Sequence, residues 1–219
     1  MAVVAVLNQK GGSGKTTVAT HLARAFQLDG KSVLLVDSDP QGSARDWGAV
    51  DETIMVPVVG LDRPSLDRDL RTISRGIDWI IIDGAPQTAD LSIAALRAAD
   101  VVIIPVQPSP YDVWATADLV RLVKQRIEVT HGRLAAAFLI SRAIKGTRIS
   151  KDVRGTLEEY GLPVLNTKIA QRVVYPISAA HGRTVFELEP GGEAVSEIKK
   201  VMNEVRAMFN AINKTTAAD

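Results

Sequence analysis

A chain of 219 residues with 26 Lys or Arg against 25 Asp or Glu carries a formal net charge of +1, so any contact with a polyanion has to come from a local patch. The lack of cysteine excludes a disulfide framework and thiolate metal centres. No apolar run approaches the roughly 18 residues of a membrane span, and the N-terminal one has no basic start, so a soluble cytoplasmic protein with one domain over residues 1–219 is expected.

The first element is Val3-Val4-Ala5-Val6-Leu7, an apolar run that reads as a buried strand. Lys10-Gly11-Gly12-Ser13-Gly14-Lys15-Thr16-Thr17 follows, and then Val18, Leu22, Ala25 and Phe26 recur with the spacing of one helix face. A glycine loop between strand and helix turns backbone N–H groups into a concavity at the helix N-terminus, where the dipole also favours negative charge. Phosphate is the expected guest, and side chains in place of the glycines would block its approach. Gly14-Lys15-Thr16 fits the end of the general phosphate-loop pattern, whereas Gln9 stands where that pattern opens on glycine and an extra lysine, Lys10, comes next.

With that extra lysine the loop resembles the deviant Walker A loop of the ParA/MinD family of ATPases, in particular the short ParA proteins of plasmid partition. The resemblance implies a P-loop NTPase fold with ATP and Mg2+ as cofactors. Gly11, Gly12, Ser13, Gly14, Lys15, Thr16 and Thr17 would surround the phosphates, Thr16 would ligate magnesium, and Lys10 would reach across a dimer to the partner's nucleotide.

Asp29-Gly30-Lys31 makes a turn, and Ser32 to Val36 reads as a second buried strand running into Asp37-Ser38-Asp39-Pro40-Gln41-Gly42. Two carboxylates thus lie at a strand's C-terminal end, where open α/β sheets bind ligands. Near a nucleotide they hold magnesium through water or orient the attacking water. Asp-x-Asp-Pro-Gln resembles the family's switch I, and that match assigns Asp39 to magnesium and catalytic water. Over residues 43–76, Trp47 reads as a core cap under the switch, and Pro64-Ser65-Leu66 with Leu70 and Ile73 reads as a short helix with Ser65 near its N-cap. Trp79 to Ile82 is a third strand, ending in Asp83, the Walker B arrangement for a magnesium-supporting carboxylate. Asp83-Gly84-Ala85-Pro86 resembles the family's switch II.

A helix from about Ala89 to Ala99 leads to the strand Val101 to Ile104. Pro105, Pro108 and Pro110 cannot continue a ladder, so the segment reads as a stiff loop; in the family it borders the nucleotide and the dimer interface, which places Pro108 among the nucleotide contacts. Tyr111 to Val129 reads as one helix with Leu119, Leu122, Val123 and Ile127 at core spacing, and Leu134 to Ile140 as a strand ending at Ser141-Arg142. Arg142 reads either as a residue that stacks on adenine or faces DNA, or as a plain solvated arginine, which is the default. Thr167-Lys168-Ile169-Ala170-Gln171-Arg172 resembles the family's loop over the base, with Ile169 as its contact. Gly182 to Glu187 and Pro190 extend the resemblance over nearly the whole chain.

Between Arg142 and Arg183 eight Lys or Arg (Arg142, Lys145, Arg148, Lys151, Arg154, Lys168, Arg172, Arg183) face three acids. Such a patch suits contact with the DNA backbone, and Lys168, Arg172, Arg183, Lys199 and Lys200 are the DNA-binding candidates. The final helix, Glu193 to about Asn213, has an apolar face and reads as core-packing, because Glu193, Glu197 and Glu204 dilute the positive charge a membrane helix would use. His21, His131 and His181 have no metal-site spacing and read as surface or helix residues. No helix-turn-helix extension is expected ahead of the loop.

Strands alternating with helices argue for an α/β domain, a mostly parallel β-sheet flanked by helices. The family resemblance implies an ATPase that is weak alone, an ATP-bound homodimer that binds nonspecific DNA on the nucleoid, and release on hydrolysis stimulated by a cargo-bound ParB-like partner, with no membrane. The rivals are a MinD-like membrane ATPase and a small P-loop metabolite kinase, which has no need of Lys10.

Overall fold

The computed structural model describes residues 1–51, 53, 56–86, 89–144 and 149–216. Lys145 and Arg148, and the side chain of Lys151, lie outside the described residues. Strands β1 (Ala2–Val6), β2 (Val33–Asp37), β3 (Val58–Gly60), β4 (Trp79–Asp83), β5 (Val101–Val106) and β6 (Ala135–Ile140) form one sheet in the order β3-β2-β4-β1-β5-β6. Every neighbouring pair is parallel. Parallel neighbours need crossovers, so helices cover both faces and the strands are apolar on both sides.

The helices are α1 (Lys15–Leu28), α2 (Ser43–Val50), α3 (Leu66–Ile73), α4 (Ala89–Ala98), α5 (Pro110–Trp114), α6 (Ala117–Val129), α7 (Ile149–Glu159), α8 (Val174–Ala180), α9 (Val185–Leu188) and α10 (Glu193–Thr216). Alternate strand residues feed two cores. Val4, Val6, Ile81 and Ile103 pack with Leu22 and Phe26 of α1 and with α10. Val3, Ala5, Ile80, Ile82 and Ile104 pack with Leu66, Ala95 and Leu119 of α3, α4 and α6.

Val195, Ile198, Val201, Met202 and Val205 of α10 are all buried, and Phe209 meets Trp79 edge-on at 5.4 Å. Burial of each such side chain is worth about 1.5–3 kcal/mol, so this apolar face is committed to the core. Among the described residues no helix is long and apolar enough to cross a membrane.

Four expectations change. β5 runs through Pro105, which pairs with Leu139 of β6. The proline is tolerated because its donorless nitrogen faces β1, where the ladder ends with Leu7 N–H donating to Ile103 O, while Ser141 N–H still reaches Val106 O. Tyr111 to Val129 is split into α5 and α6, with the buried Thr116 hydroxyl donating to Val113 O at the break. Residues 43–76 contain α2 and β3 as well as α3, and Trp47 on α2 is buried with its indole N–H on Arg183 O. Ser65 does precede α3, but its hydroxyl donates to the Asp69 carboxylate instead of capping an amide.

Candidate functional site

The C-terminal ends of β1, β2 and β4 lie side by side, with Val6 and Asp37 both in register with Asp83. That brings the glycine loop and both aspartate-bearing turns to one edge of the sheet. Gly12 (φ 75°) and Gly14 (φ 94°) are in the left-handed region that a side chain would strain. α1 begins on Gly14 with no side-chain cap and no acid in its first turn, so its leading N–H groups remain for an anion.

The loop carbonyls are held from the sheet side. Gln107 Nε2 donates to Gly12 O at 2.8 Å and Ser141 Oγ to Ser13 O at 2.8 Å. Asn8 accepts from Lys10 N–H at 2.9 Å and donates to Pro105 O at 2.7 Å. None of these three braces was legible from the sequence, since each lies at a strand end whose neighbour is set by topology. Loss of one such bond is worth about 1 kcal/mol. Ser141→Ala is therefore expected to weaken ATP binding about fivefold in calorimetry while leaving the fold intact; unchanged affinity would show that the loop holds itself.

Lys15, at the start of α1, is buried and donates to Lys10 O at 3.2 Å. Burial lowers its pKa, and the Asp83 and Asp39 carboxylates oppose that shift. Thr16 and Thr17, beside it, are half-buried. Lys10 is set differently: 38% exposed, its ammonium lies 2.7 Å from Asp112 Oδ2 on α5. Asp112 is buried, and its second oxygen has no hydrogen-bond partner.

Asp83 is buried with neither oxygen hydrogen-bonded. Burial pushes its carboxyl up to about 7, with Asp37 adding to the rise and the nearby Thr16 hydroxyl and Lys15 tempering it. Asp39 is half-buried and accepts Gln41 N–H at 3.0 Å. Asp37 is fully buried and accepts the amides of Asp39, Ala44 and Arg45, a structural task at the start of α2.

A cavity of about 180 Å³ opens beside the loop, lined by Gly14, Thr17, Ser141, Arg142, Ile169 and Tyr175 among others. Arg142 is exposed there with a left-handed φ of 50°. Arg142 and Ile169 thus line one cavity with Gly14 and Thr17 of the loop, whereas Pro108 lines a separate cavity with Pro110, Val113 and Trp114. The expected basic patch is partly cancelled. Arg172 is paired with Glu193 and Glu197, Arg183 with Asp51, and Arg154 with Glu158. Lys168 is half-buried with a partner, and Lys199 and Lys200 are exposed on α10.

His21, expected as a surface or helix residue, is helical and fully buried behind the loop. Its Nδ1 bonds Thr17 O at 2.7 Å and its Nε2 accepts Val185 N–H at 3.2 Å. Burial pushes the imidazole down to about 4. The folded state binds this proton less readily than the unfolded chain, so the stability it contributes is full above about pH 6.5 and is lost as pH falls toward 4. Asp83 acts in the opposite sense, its contribution being lost as pH rises toward 7. The stability difference between the wild type and His21→Gln cancels the Asp83 contribution. In urea melts it is expected to shrink by about 2 kcal/mol between about pH 7.5 and 5; a constant difference would mean that His21 titrates normally.

An uncapped helix start, the unpartnered buried Ser13 hydroxyl and two orphaned Asp83 oxygens fit a triphosphate with a divalent cation. Among the described residues no group of three or more His, Cys, Asp or Glu could hold a metal ion. Residues 4–185 match the model of the CobQ/CobB/MinD/ParA nucleotide binding domain. The chain belongs to that family. It is accordingly a P-loop nucleoside triphosphatase of the deviant Walker A type, with ATP and magnesium as cofactors, in the partition and positioning class of ATPases.

Relatives within this family include the maintenance of carboxysome distribution protein A of Halothiobacillus neapolitanus, 33% identical over 208 residues, covering 92% of this chain and 95% of the relative. Another is the sporulation initiation inhibitor protein Soj of Bacillus subtilis, 27% identical, covering 94% and 98%. Among solved structures, a Cyanothece McdA variant in complex with ATP superposes with a TM-score of 0.76 at 19% identity, covering 94% of this chain and 96% of that one, a likeness of fold.

Proposed function

We propose that this chain is a ParA-type segregation ATPase whose single domain, residues 1–219, forms an ATP-bound homodimer that grips nonspecific DNA and lets go on hydrolysis. The observation that carries the reading is the opposite setting of the two loop lysines. Lys15 is buried in its own site, while Lys10 sits at the rim, half-exposed and tethered by Asp112. A small P-loop kinase needs the first and has no use for the second.

In this reading Lys15 and the loop amides of Gly11 to Thr17 bind the β and γ phosphates, and the cavity beside Arg142 and Ile169 takes the base. Thr16 and Asp83 would hold magnesium, which neutralises charge on the phosphates when bound. Asp39 orients a water whose oxygen forms a bond to the γ phosphorus as the bond to the ADP oxygen breaks; the water proton leaves through the Asp39 carboxylate to solvent. Lys10 leaves Asp112 to complete the partner's site, so a lone subunit turns over slowly.

Lys199 and Lys200, exposed on α10, are the proposed DNA contacts; Lys168, Arg172 and Arg183, which already have partners, contribute less. A ParB-like partner on the cargo stimulates hydrolysis and defines the cargo, since the relatives' names divide between carboxysome distribution and sporulation or chromosome partition. The burial of the α10 apolar face supports cytoplasmic, nucleoid-associated action over membrane attachment.

Gel retardation of DNA with no nucleotide, ADP, ATP or a non-hydrolysable ATP analogue tests this. Binding with ATP or the analogue alone, weakening steeply with salt, is the expected result. Binding that ignores nucleotide would overturn the reading, and ATP-dependent sedimentation with lipid vesicles in place of DNA would favour the MinD-like alternative.

A further inference from the structure

Arg45, the third residue of α2, is placed as a clamp on the turn that carries Asp39. Its Nη2 donates to Asp39 O at 3.0 Å and to Pro40 O at 3.5 Å, and meets Asp62 Oδ2 at 3.3 Å. Its Nε lies 3.5 Å from the fully buried Asp37. Two glycines leave the slot for it. A Cβ on Gly60, the last residue of β3, would come within 2.8 Å of Arg45 Nη1, and one on Gly42 within 3.2 Å of Nε. The amides at the start of α2 are already satisfied by Asp37, so the guanidinium bonds are additional and fall on the switch backbone itself.

We propose that Arg45 is a positioning residue for hydrolysis: seated between Gly42 and Gly60, it fixes the backbone of residues 39 and 40 and thereby aims the Asp39 carboxylate. The inference rests on the reading of Asp39 as the residue that orients water. Asp39 O, Pro40 O and Asp62 all face Nη2, while Nε adds the contact with Asp37; an ammonium at the Nη2 position keeps the charge and loses that second contact. Asp39 is otherwise held by neighbours within its own turn: the Gln41 amide on its carboxylate, the Gly42 amide on its carbonyl and the Asp37 carboxylate on its amide.

The test is steady-state ATP turnover in the presence of DNA for Arg45→Ala, Arg45→Lys, Gly60→Ala and Asp39→Ala, with ATP affinity and melting temperature measured alongside. Misplacement of a positioned group costs on the order of 10- to 100-fold in rate. Arg45→Ala is expected to lose kcat on that scale with KM unchanged, to regain turnover when guanidinium ion is added, and to be only partly mimicked by Arg45→Lys. Gly60→Ala, which crowds the slot while keeping the arginine, is expected to lose kcat in the same way and keeps the test open if Arg45→Ala does not fold. Wild-type kcat in both variants would overturn the proposal, as would a loss that tracks melting temperature and ignores guanidinium. Wild-type turnover in Asp39→Ala would instead overturn the reading of Asp39 itself, whatever the Arg45 variants do.

Discussion

Lys15→Ala is expected to lose ATP binding by at least about 30-fold while the protein stays folded. The ammonium is buried at the start of α1, and its nearest charges are the Asp83 and Asp39 carboxylates. Removing one partner from such a buried charge cluster costs about 2–5 kcal/mol, largely because the remaining charges are left uncompensated. Here they would face an incoming triphosphate of the same sign. The uncapped N-terminus of α1 keeps its attraction for phosphate, so some residual binding is expected at high ATP concentration. Fluorescent-nucleotide titration measures the loss; affinity within about threefold of wild type, a difference of less than about 1 kcal/mol, would show that the amides alone hold the phosphates.

Lys10→Ala is expected to separate binding from assembly. The side chain is 38% exposed and, among the described residues, its ionic partner is Asp112, so its removal leaves Lys15 and the braces from Gln107 and Ser141 on the loop in place. ATP affinity should change little, whereas ATP-induced dimerisation and DNA binding should be lost. Asp112 then keeps no partner while buried, which costs about 1–3 kcal/mol of stability as a modest fall in melting temperature. Sedimentation with the ATP analogue reads the outcome. A variant that dimerises normally would place Lys10 outside the shared site and favour an ordinary P-loop kinase.

The parts of the fold visible in the sequence are those where one physical pattern acts alone. Runs such as Trp79 to Ile82 are apolar on both sides because parallel strands are covered on both faces, and each was readable as a strand. β3 was not, because its three residues are only half-buried at the sheet edge. Pro105 misled because tolerance of a proline depends on which neighbour its nitrogen faces, a property of topology. The glycine loop, Lys15, Asp39 and Asp83 lie at one sheet edge because each follows or ends a parallel strand, and the apolar runs before them made those strands legible. The braces from Asn8, Gln107 and Ser141, and the Asp112 tether on Lys10, come from other strand ends and left no local signature. Counting charge between Arg142 and Arg183 overstated the basic patch for the same reason. The acids that neutralise Arg172 and Arg183, namely Glu193, Glu197 and Asp51, lie outside the counted window.

Completion of the active site by two subunits is read out by ATP turnover per subunit as a function of protein concentration, with DNA present and Lys10→Ala as the comparison. A site completed in trans predicts turnover per subunit that rises with concentration to a plateau in the wild type and stays at the low basal level in Lys10→Ala. Turnover per subunit that is constant across the range and equal in the two proteins would contradict it.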